Sequence, residues 1–202
     1  MPTLLEPEIA QILAPYLDPV PSILLAQLTI YLDLLVRWNA RTNLTAIRSP
    51  EEMVRRHFGE SLFAGRHLGE PGPDTLLDLG SGAGFPGLPI ALLHPRIAVT
   101  LAESQNKKAT FLREAVRTLG VSNVEFWAGR SEALAGGRRF HTITLRAVDD
   151  MAAALAEASN RADRQILVLA TELPGSPEGF SVQQSLAIPE SSAGVLYRMV
   201  RD

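Results

Sequence analysis

The sequence predicts an α/β protein with a doubly wound, mostly parallel sheet of the Rossmann-like type and an N-terminal helical cap. Three observations lead to this fold class. After residue 74, short apolar segments with strand character alternate with segments long enough for helices. A glycine-rich loop follows the first of these strands, and a turn-rich linker, GEPGPD (69–74), precedes it. The chain of 202 residues, 46% of them apolar, is large enough for one packed domain.

The N-terminal part is predicted to be helical. An amphipathic apolar run that ends at Trp38 favours one helix. Ser49-Pro50-Glu51-Glu52 has the S-x-x-E spacing of a capping box, with proline in the first turn, so a second helix is expected over about 50–65. We therefore place the helical cap at residues 1–68 and the sheet domain, with its C-terminal strands, at 69–202.

Five short runs rich in β-branched or aromatic residues are predicted strands, and they are separated by helical segments. The strands are TLLDLG (75–80), IAVTLAE (97–103), VEFWA (124–128), FHTITL (140–145) and QILVLA (165–170). The helices are expected at 86–93, 107–119, 131–134 and 150–159. Right-handed crossovers make such a sheet doubly wound, and its ligand should lie beyond the carboxyl ends of the strands. The segments SVQQSLAI and GVLYRMV suit a terminal antiparallel pair.

Composition excludes several classes of protein. The chain has no cysteine, which excludes disulfides, thiolate metal sites and cysteine nucleophiles. The longest apolar run, Ile23–Val36, contains three polar residues and is shorter than the roughly 20 residues of a membrane span. The first residues carry acids at Glu6 and Glu8 and no basic segment, unlike a secretory signal. We expect a cytoplasmic monomer that holds no metal.

The glycine loop decides which cofactor to expect. Gly82, Gly84 and Gly87 satisfy G-x-G-x-x-G, which alone is weak because several cofactors use such loops. Asp78, two residues before Gly80, would repel a pyrophosphate if its carboxylate faced the ligand, whereas it would attract a sulfonium and an ammonium group. The pattern D-x-G-x-G-x-G is typical of S-adenosylmethionine-dependent methyltransferases. No Gly-Lys-Ser/Thr triplet occurs, which excludes a Walker loop.

Further cofactor contacts are expected in chain order. Glu103, which ends the second predicted strand, can accept both ribose hydroxyls. Ser131 and Glu132 follow the third strand and can bond the adenine edge. Phe85 can pack beside the cofactor. An ordinary strand-end acid would be the simpler interpretation of Glu103 if Asp78 and the loop were not at the right spacing.

The methyl acceptor is narrowed by what the sequence lacks. Without cysteine, C5-methylation of pyrimidines is excluded. Residues 145–148 read Leu-Arg-Ala-Val, not the Asn/Asp-Pro-Pro-Tyr/Phe motif used on exocyclic amino groups. No histidine or lysine is distinguished as a base, and we assign no catalytic residue. Guanine N7 offers a free lone pair at neutral pH, so its methylation needs no proton removal; the sequence permits this acceptor without requiring it.

Several segments closely resemble one family. They are LLDLGSGAGFPGLPIAL, ESQNKKATFLREA, GRSEAL and LRAV, with RWNARTNLTAI and RRHFGESL upstream. Together they resemble the bacterial ribosomal RNA small subunit methyltransferase G family, also called glucose-inhibited division protein B, over about Trp38–Val148. The resemblance implies a Rossmann-like methyltransferase with a helical cap that methylates N7 of one guanine in the decoding region of 16S ribosomal RNA.

The resemblance also implies roles for individual residues. Cofactor contacts would be Gly80, Phe85, Glu103, Ser104, Gln105, Ser131, Glu132 and Arg146. Arg146 would face both cofactor and substrate. The segments around Asn39, Asn43, His57 and Ser61 would shape the mouth of the site, although a structural role for His57 is equally compatible with its position.

Three departures from the family pattern bear on target choice and rate. His141 stands where the family has an acidic residue at the start of the fourth strand. The Gly-Gly turn before the fifth strand and the lysine after it are missing. Glu60 replaces the commoner aspartate.

A net charge of −3 means that any RNA-binding surface must concentrate its basic residues on one face. Candidates near the ligand end of the sheet are Lys107, Lys108 and Arg130, and six arginines lie within residues 37–66. Alternatives remain: a methyltransferase acting on a small molecule or a protein, a cofactor-binding RNA partner without catalysis, and, more remotely, an NAD-dependent oxidoreductase.

Overall fold

A computed structural model describes residues 2–129, 134 and 137–202 of the chain. Its N-terminal part is helical. The helices are α1 (Glu6–Leu13), α2 (Ser22–Thr42), α3 (Pro50–Glu52), a π-helix (Met53–Gly59) and α4 (Glu60–Arg66). Ser49 caps α3, since its Oγ accepts a hydrogen bond from the Glu52 backbone N–H. The last three elements therefore form one continuous helical segment with a wider π turn in its middle.

The rest of the chain forms one seven-stranded sheet. The strands are β1 (Thr75–Leu79), β2 (Ala98–Glu103), β3 (Val124–Ala128), β4 (Phe140–Arg146), β5 (Ala162–Ala170), β6 (Phe180–Ala187) and β7 (Val195–Arg201). The connecting helices are α5 (Gly87–Leu93), α6 (Asn106–Leu119) and α7 (Met151–Arg161). The order is β3-β2-β1-β4-β5-β7-β6, parallel from β3 to β5, with β7 antiparallel to both neighbours. The order reverses between β1 and β4, which is where a doubly wound sheet opens a crevice for ligands.

The two faces of the sheet bury separate clusters. The strand period of two sends Leu76 to one face and Leu77 to the other. On the Leu76 side, the cap helices pack with α5 and α6 into a single cluster, so the cap and the sheet domain share one core. On the Leu77 side, α7 covers the sheet through Leu155 and Ala158.

The predicted fold class is confirmed, and the predicted strands and described helices lie within a few residues of those observed. The terminal antiparallel pair is present as β6 and β7. The predicted helix at 131–134 falls mostly outside the described residues. The sequence did not predict α1 or the π-helix, and the division between cap and core at residue 68 stays a prediction.

Helix α2 contradicts the argument that the N-terminal apolar run is too short to span a membrane. It has 21 residues and, by length and composition alone, could cross a membrane. The apolar run that the sequence analysis judged too short for a membrane span therefore belongs to a helix that is long enough for one. In the structure, α2 buries Leu28, Tyr31 and Leu35 in the core shared with α5 and α6, which accounts for its apolar character.

We predict that Gly84→Ala destabilises the protein by about 2–5 kcal/mol, because it combines backbone strain with overpacking. Gly84 has φ +96°, and a Cβ there would lie 2.4 Å from the hydroxyl of the fully buried Tyr31. Gly120→Ala is the matched control, since φ is +63° but a Cβ meets open space, and it should cost about 1 kcal/mol. Urea unfolding measures both variants; equal losses would contradict the predicted clash.

Candidate functional site

Two clefts open at the carboxyl ends of β1, β4 and β5. The smaller, about 220 Å³, is lined by the glycine loop, including Gly80, Gly82 and Phe85. The larger, about 810 Å³, lies between the cap and the ends of β5 and the β6–β7 turn. Arg146 and Ala147, at the end of β4, line both clefts. The site predicted at this edge of the sheet therefore consists of two adjoining compartments.

The glycine loop follows β1 in a conformation that depends on its glycines. Gly80, Gly82 and Gly84 have positive φ values of 70°, 59° and 96°, which side chains disfavour. The cap helix α2 holds the loop from outside, because the Tyr31 hydroxyl donates a hydrogen bond to the Ala83 carbonyl. The cap therefore fixes the position of the loop.

The orientation of the Asp78 side chain differs from the one that the sequence predicted. Its carboxylate was expected to face the ligand, but it is fully buried beneath the loop. It accepts hydrogen bonds from the Gly87 backbone N–H (3.0 Å) and the Thr144 hydroxyl (2.8 Å). Asp78 lies on the same strand face as Leu76, so its side chain enters the core below α5. Burial raises the pKa of Asp78 to about 6, although these hydrogen bonds act in the opposite direction.

Glu103 also supports the loop. It is buried at the end of β2, where one carboxylate oxygen accepts the Gly82 backbone N–H at 2.9 Å and the other accepts the Gln105 N–H at 2.7 Å. Carboxylate oxygens have further lone pairs, so these two bonds leave acceptor capacity for hydroxyl groups. Glu103 ends β2, as the sequence predicted, and lies beside Gly82, while its contact with a ribose stays a prediction.

The other predicted cofactor and substrate residues are divided by the structure. Lys108 lines the smaller cleft, whereas Ser104, Gln105 and Lys107 are exposed at the start of α6. Phe85 lines the cleft and stacks on His57, with ring centroids 4.7 Å apart. The remaining predictions, Arg130, Ser131 and Glu132, lie outside the described residues.

His57 is held in one neutral tautomer. Its Nδ1 accepts from Nη1 of Arg146 at 3.1 Å, because a guanidinium can only donate. The proton on Nε2 therefore points to the Thr45 hydroxyl at 2.8 Å. Burial, and then the charges of Arg146 and Arg56, lower the pKa of His57 to about 3. With both ring nitrogens engaged, His57 is a positioning residue in this structure and does not offer a general base.

Arg146 connects the sheet to the cap. Its Nε and Nη2 donate to the buried carboxylate of Glu60, at 3.1 and 2.9 Å, and Nη2 also donates to the Arg56 carbonyl at 2.9 Å. With the bond to His57, four of its five N–H groups are used, leaving one on Nη1 among the contacts of the described residues. Glu60 also pairs with Arg56, at 2.8 Å.

The position of Asn39 contradicts the prediction that it contacts the substrate. It is buried beneath the turn after α2, where its side chain donates to the Ile47 carbonyl and accepts from the Thr45 N–H. The polar atoms of Asn39 are therefore used to position Thr45, which in turn orients His57. Asn39 acts on the cleft through this chain of contacts and does not line it.

The departures from the family pattern fall in different places. His141 lies near the amino end of β4, where its N–H donates to the Thr75 hydroxyl, at the edge of the sheet away from both clefts. Helix α7 ends at Arg161 and β5 begins at Ala162, so no separate turn exists there. Two departures lie within the site: Glu60, and the end of β5, where Ala170 and Thr171 line the larger cleft and no lysine follows the strand. Sequence reasoning missed Tyr31 because its partner, Ala83, is 52 positions away, and Thr45 because its contact with His57 depends on how the turn after α2 packs against the π-helix.

Sequence comparison places the chain among known proteins. A family model described as rRNA small subunit methyltransferase G matches residues 24–173. Relatives named ribosomal RNA small subunit methyltransferase G include one from Stenotrophomonas maltophilia (strain K279a), 48% identical over 122 residues, and one from Xylella fastidiosa (strain M23), 50% identical over 121 residues. In both cases the match covers 60% of this chain and 56% of the relative.

Solved structures share the fold at low sequence identity. TrmN from Thermus thermophilus is 16% identical, with a TM-score of 0.58 over 74% of this chain and 53% of that one. The ribosomal protein L11 methylase from Lactobacillus delbrueckii subsp. bulgaricus is 12% identical, with a TM-score of 0.55 over 73% and 79%.

We predict that Asp78→Asn removes a pH-dependent cost to stability. The folded-state pKa of Asp78 lies above its ordinary value of 3.8, so its contribution is most favourable below about pH 4 and is lost as the pH rises through 6. Asparagine does not titrate; its oxygen can accept from the Gly87 N–H while its NH2 donates to the Thr144 hydroxyl, which then acts as acceptor. Unfolding free energies measured in urea from pH 4 to 7.5 should therefore shift in favour of the variant by about 3 kcal/mol. A constant difference across this range would contradict the buried titration.

Proposed function

Because this chain belongs to the rRNA small subunit methyltransferase G family, we propose that it transfers a methyl group from S-adenosylmethionine to N7 of a guanine in 16S ribosomal RNA. The observation that carries the proposal is the pair of clefts that meet at Arg146: one bordered by the glycine loop, the other wide enough for a nucleotide. The chain matches little more than half the length of its curated relatives, so the activity itself is what must be tested.

The residues of the smaller cleft fit the chemistry of S-adenosylmethionine. Glu103 lies beside this cleft, bonded to the Gly82 N–H, and its carboxylate has lone pairs for ribose hydroxyls, while Gly80 and Gly82 line the cleft without side chains. Phe85 and Leu44 add apolar surface. The cleft volume of about 220 Å³ is below the roughly 300 Å³ of ordinary ligand pockets, so we expect the cleft to widen when the cofactor enters.

When bound, the cofactor supplies an electrophilic methyl group on a positively charged sulfur. The chain's contribution is to hold the acceptor in line with it. The N–H that remains on Nη1 of Arg146 can donate to O6 of guanine, the acceptor adjacent to N7. Glu60 and His57 keep that guanidinium in place. Since N7 carries no proton, the absence of an available base at His57 is compatible with this acceptor.

The proposal includes 16S ribosomal RNA, or a small ribosomal subunit particle, as the partner of a cytoplasmic monomer. Several cap arginines are already engaged: Arg55 pairs with Glu52 and Arg56 with Glu60. Lys107 and Lys108, at the start of α6, are better placed to contact phosphates near the smaller cleft. The footprint therefore extends from α6 across the mouth of the site.

Incubation with methyl-labelled S-adenosylmethionine and small ribosomal subunits, followed by nucleoside analysis, tests the function. We expect label in 7-methylguanosine. Label on a protein or a small molecule, with none on guanine, would reject the proposal and favour the alternative methyltransferase. Cofactor binding without turnover on any ribosomal substrate would favour a non-catalytic RNA partner.

We predict that Lys107→Glu weakens binding of small-subunit RNA several-fold. The slope of log affinity against log salt concentration should become shallower by about the amount that one phosphate contact contributes. Lys107 is exposed, whereas Lys108 lines the cofactor cleft. Charge reversal at Lys107 therefore tests RNA binding without changing a residue of that cleft. Cofactor affinity should change less than twofold. Arg164→Glu, exposed near the amino end of β5, is the control for net charge. RNA titrations at several salt concentrations measure both; equal affinities would remove Lys107 from the footprint.

A further inference from the structure

The larger cleft contains an acidic side chain whose function is not explained by the contacts described above. Of the cleft's three glutamates, Glu52 pairs with Arg55, and Glu60 is shared by Arg56 and Arg146. Glu190, on the opposite wall in the β6–β7 turn, makes no hydrogen bond or ion pair within residues 2–129, 134 and 137–202. Its carboxylate is exposed and able to accept hydrogen bonds.

The backbone holds Glu190 in an unusual but fixed conformation. Its φ is +57°, where a side chain is disfavoured by about 1–2 kcal/mol. The turn is closed on both sides, since the Ile188 N–H bonds the Gly194 carbonyl at 2.9 Å and the Gly194 N–H bonds the Ser191 hydroxyl at 2.9 Å. Residues with positive φ cluster at functional sites, and this one lies in a hydrogen-bonded turn beside a cleft.

Glu190 and Arg146 line the same cleft, Glu190 from the β6–β7 turn and Arg146 from the end of β4. The pKa of the buried Tyr16 is raised to about 12, mainly by burial and then by Glu60, with a smaller contribution from Glu190. Both carboxylates thus act on the same phenol. Glu190 therefore lies on the wall of a compartment that Arg146 and Ala147 also border, and these two residues line the cofactor compartment as well.

Guanine has a shape and a donor pattern that fit this arrangement. N7 and O6 lie on one edge of the purine, while N1–H and the 2-amino group lie on the opposite end and both donate. A base inserted with N7 toward Arg146 and Ala147 presents these two donors to the opposite wall. A carboxylate can accept both, whereas adenine would present an acceptor at N1. Enzymes that act on a flipped base read this same edge.

We propose that Glu190 accepts hydrogen bonds from N1–H and the 2-amino group of the target guanine and so sets base specificity in the larger cleft. The inference rests on the proposed function. In the reaction, the N7 lone pair forms the bond to the methyl carbon as the sulfur–carbon bond breaks, so positive charge passes from sulfur to the guanine ring and no proton moves. Glu190 also stabilises that charge as it develops.

The test uses competition within one RNA. Small-subunit RNA is transcribed with part of its guanosine replaced by inosine, which keeps N1–H but lacks the 2-amino group. After methylation, the ratio of 7-methylguanosine to 7-methylinosine, corrected for the bases available, gives the preference directly. Wild-type protein should prefer guanosine by about tenfold or more, the value of one hydrogen bond to a charged group. Glu190→Gln should methylate guanosine about 10- to 100-fold more slowly, with the preference reduced to about threefold or less.

Two further variants separate specificity from folding. Glu190→Gly relieves the positive φ, so its Tm should be no lower than that of the wild type while the preference for guanosine is lost. Glu178→Gln removes the same charge at the other end of β6 and should leave rate and preference unchanged. If wild type methylates guanine but Glu190→Gln and Glu190→Gly retain its rate and preference, this inference is wrong and the proposed function stands. If wild type places no methyl on guanine, the proposed function fails first.

Discussion

The arrangement of the site depends on a carboxylate that has no access to water. Asp78 joins β1 to the first residue of α5 through Gly87 and to β4 through Thr144, at the point where the strand order reverses. The glycine loop lies directly above these bonds. Because the group is fully buried, replacing it with a side chain that cannot bond both neighbours would leave buried donors without partners, at a cost of about 1–3 kcal/mol each.

The cap is part of the site and is not an appendage to it. Tyr31 holds the glycine loop, Thr45 orients His57, and Glu60 holds Arg146, and all three belong to the N-terminal segment. Without the cap, the sheet domain would supply only the glycine loop and Arg146, and Arg146 would lack its partner Glu60. The shared core of cap and sheet gives these contacts their precision, since close-packed interiors allow little movement.

The sequence predicted the elements whose signals are local. Strands such as β3 and helices such as α6 follow from periodicity, and the capping box at Ser49 located the start of the long helical segment. The orientation of Asp78 was mispredicted, although strand alternation relative to Leu76 would have placed it in the core. The contact of Glu60 with Arg146 joins residues 86 positions apart and requires the packed fold.

Arg146 forms part of the wall of both compartments, and this has a thermodynamic consequence. Any ligand that reorients its guanidinium on entering one compartment changes the surface offered in the other. Occupancy of the two compartments is then linked, and linkage is reciprocal: the factor by which one ligand alters the affinity of the second equals the factor in the reverse direction. A single side chain would in this way couple the affinities of two ligands in separate compartments.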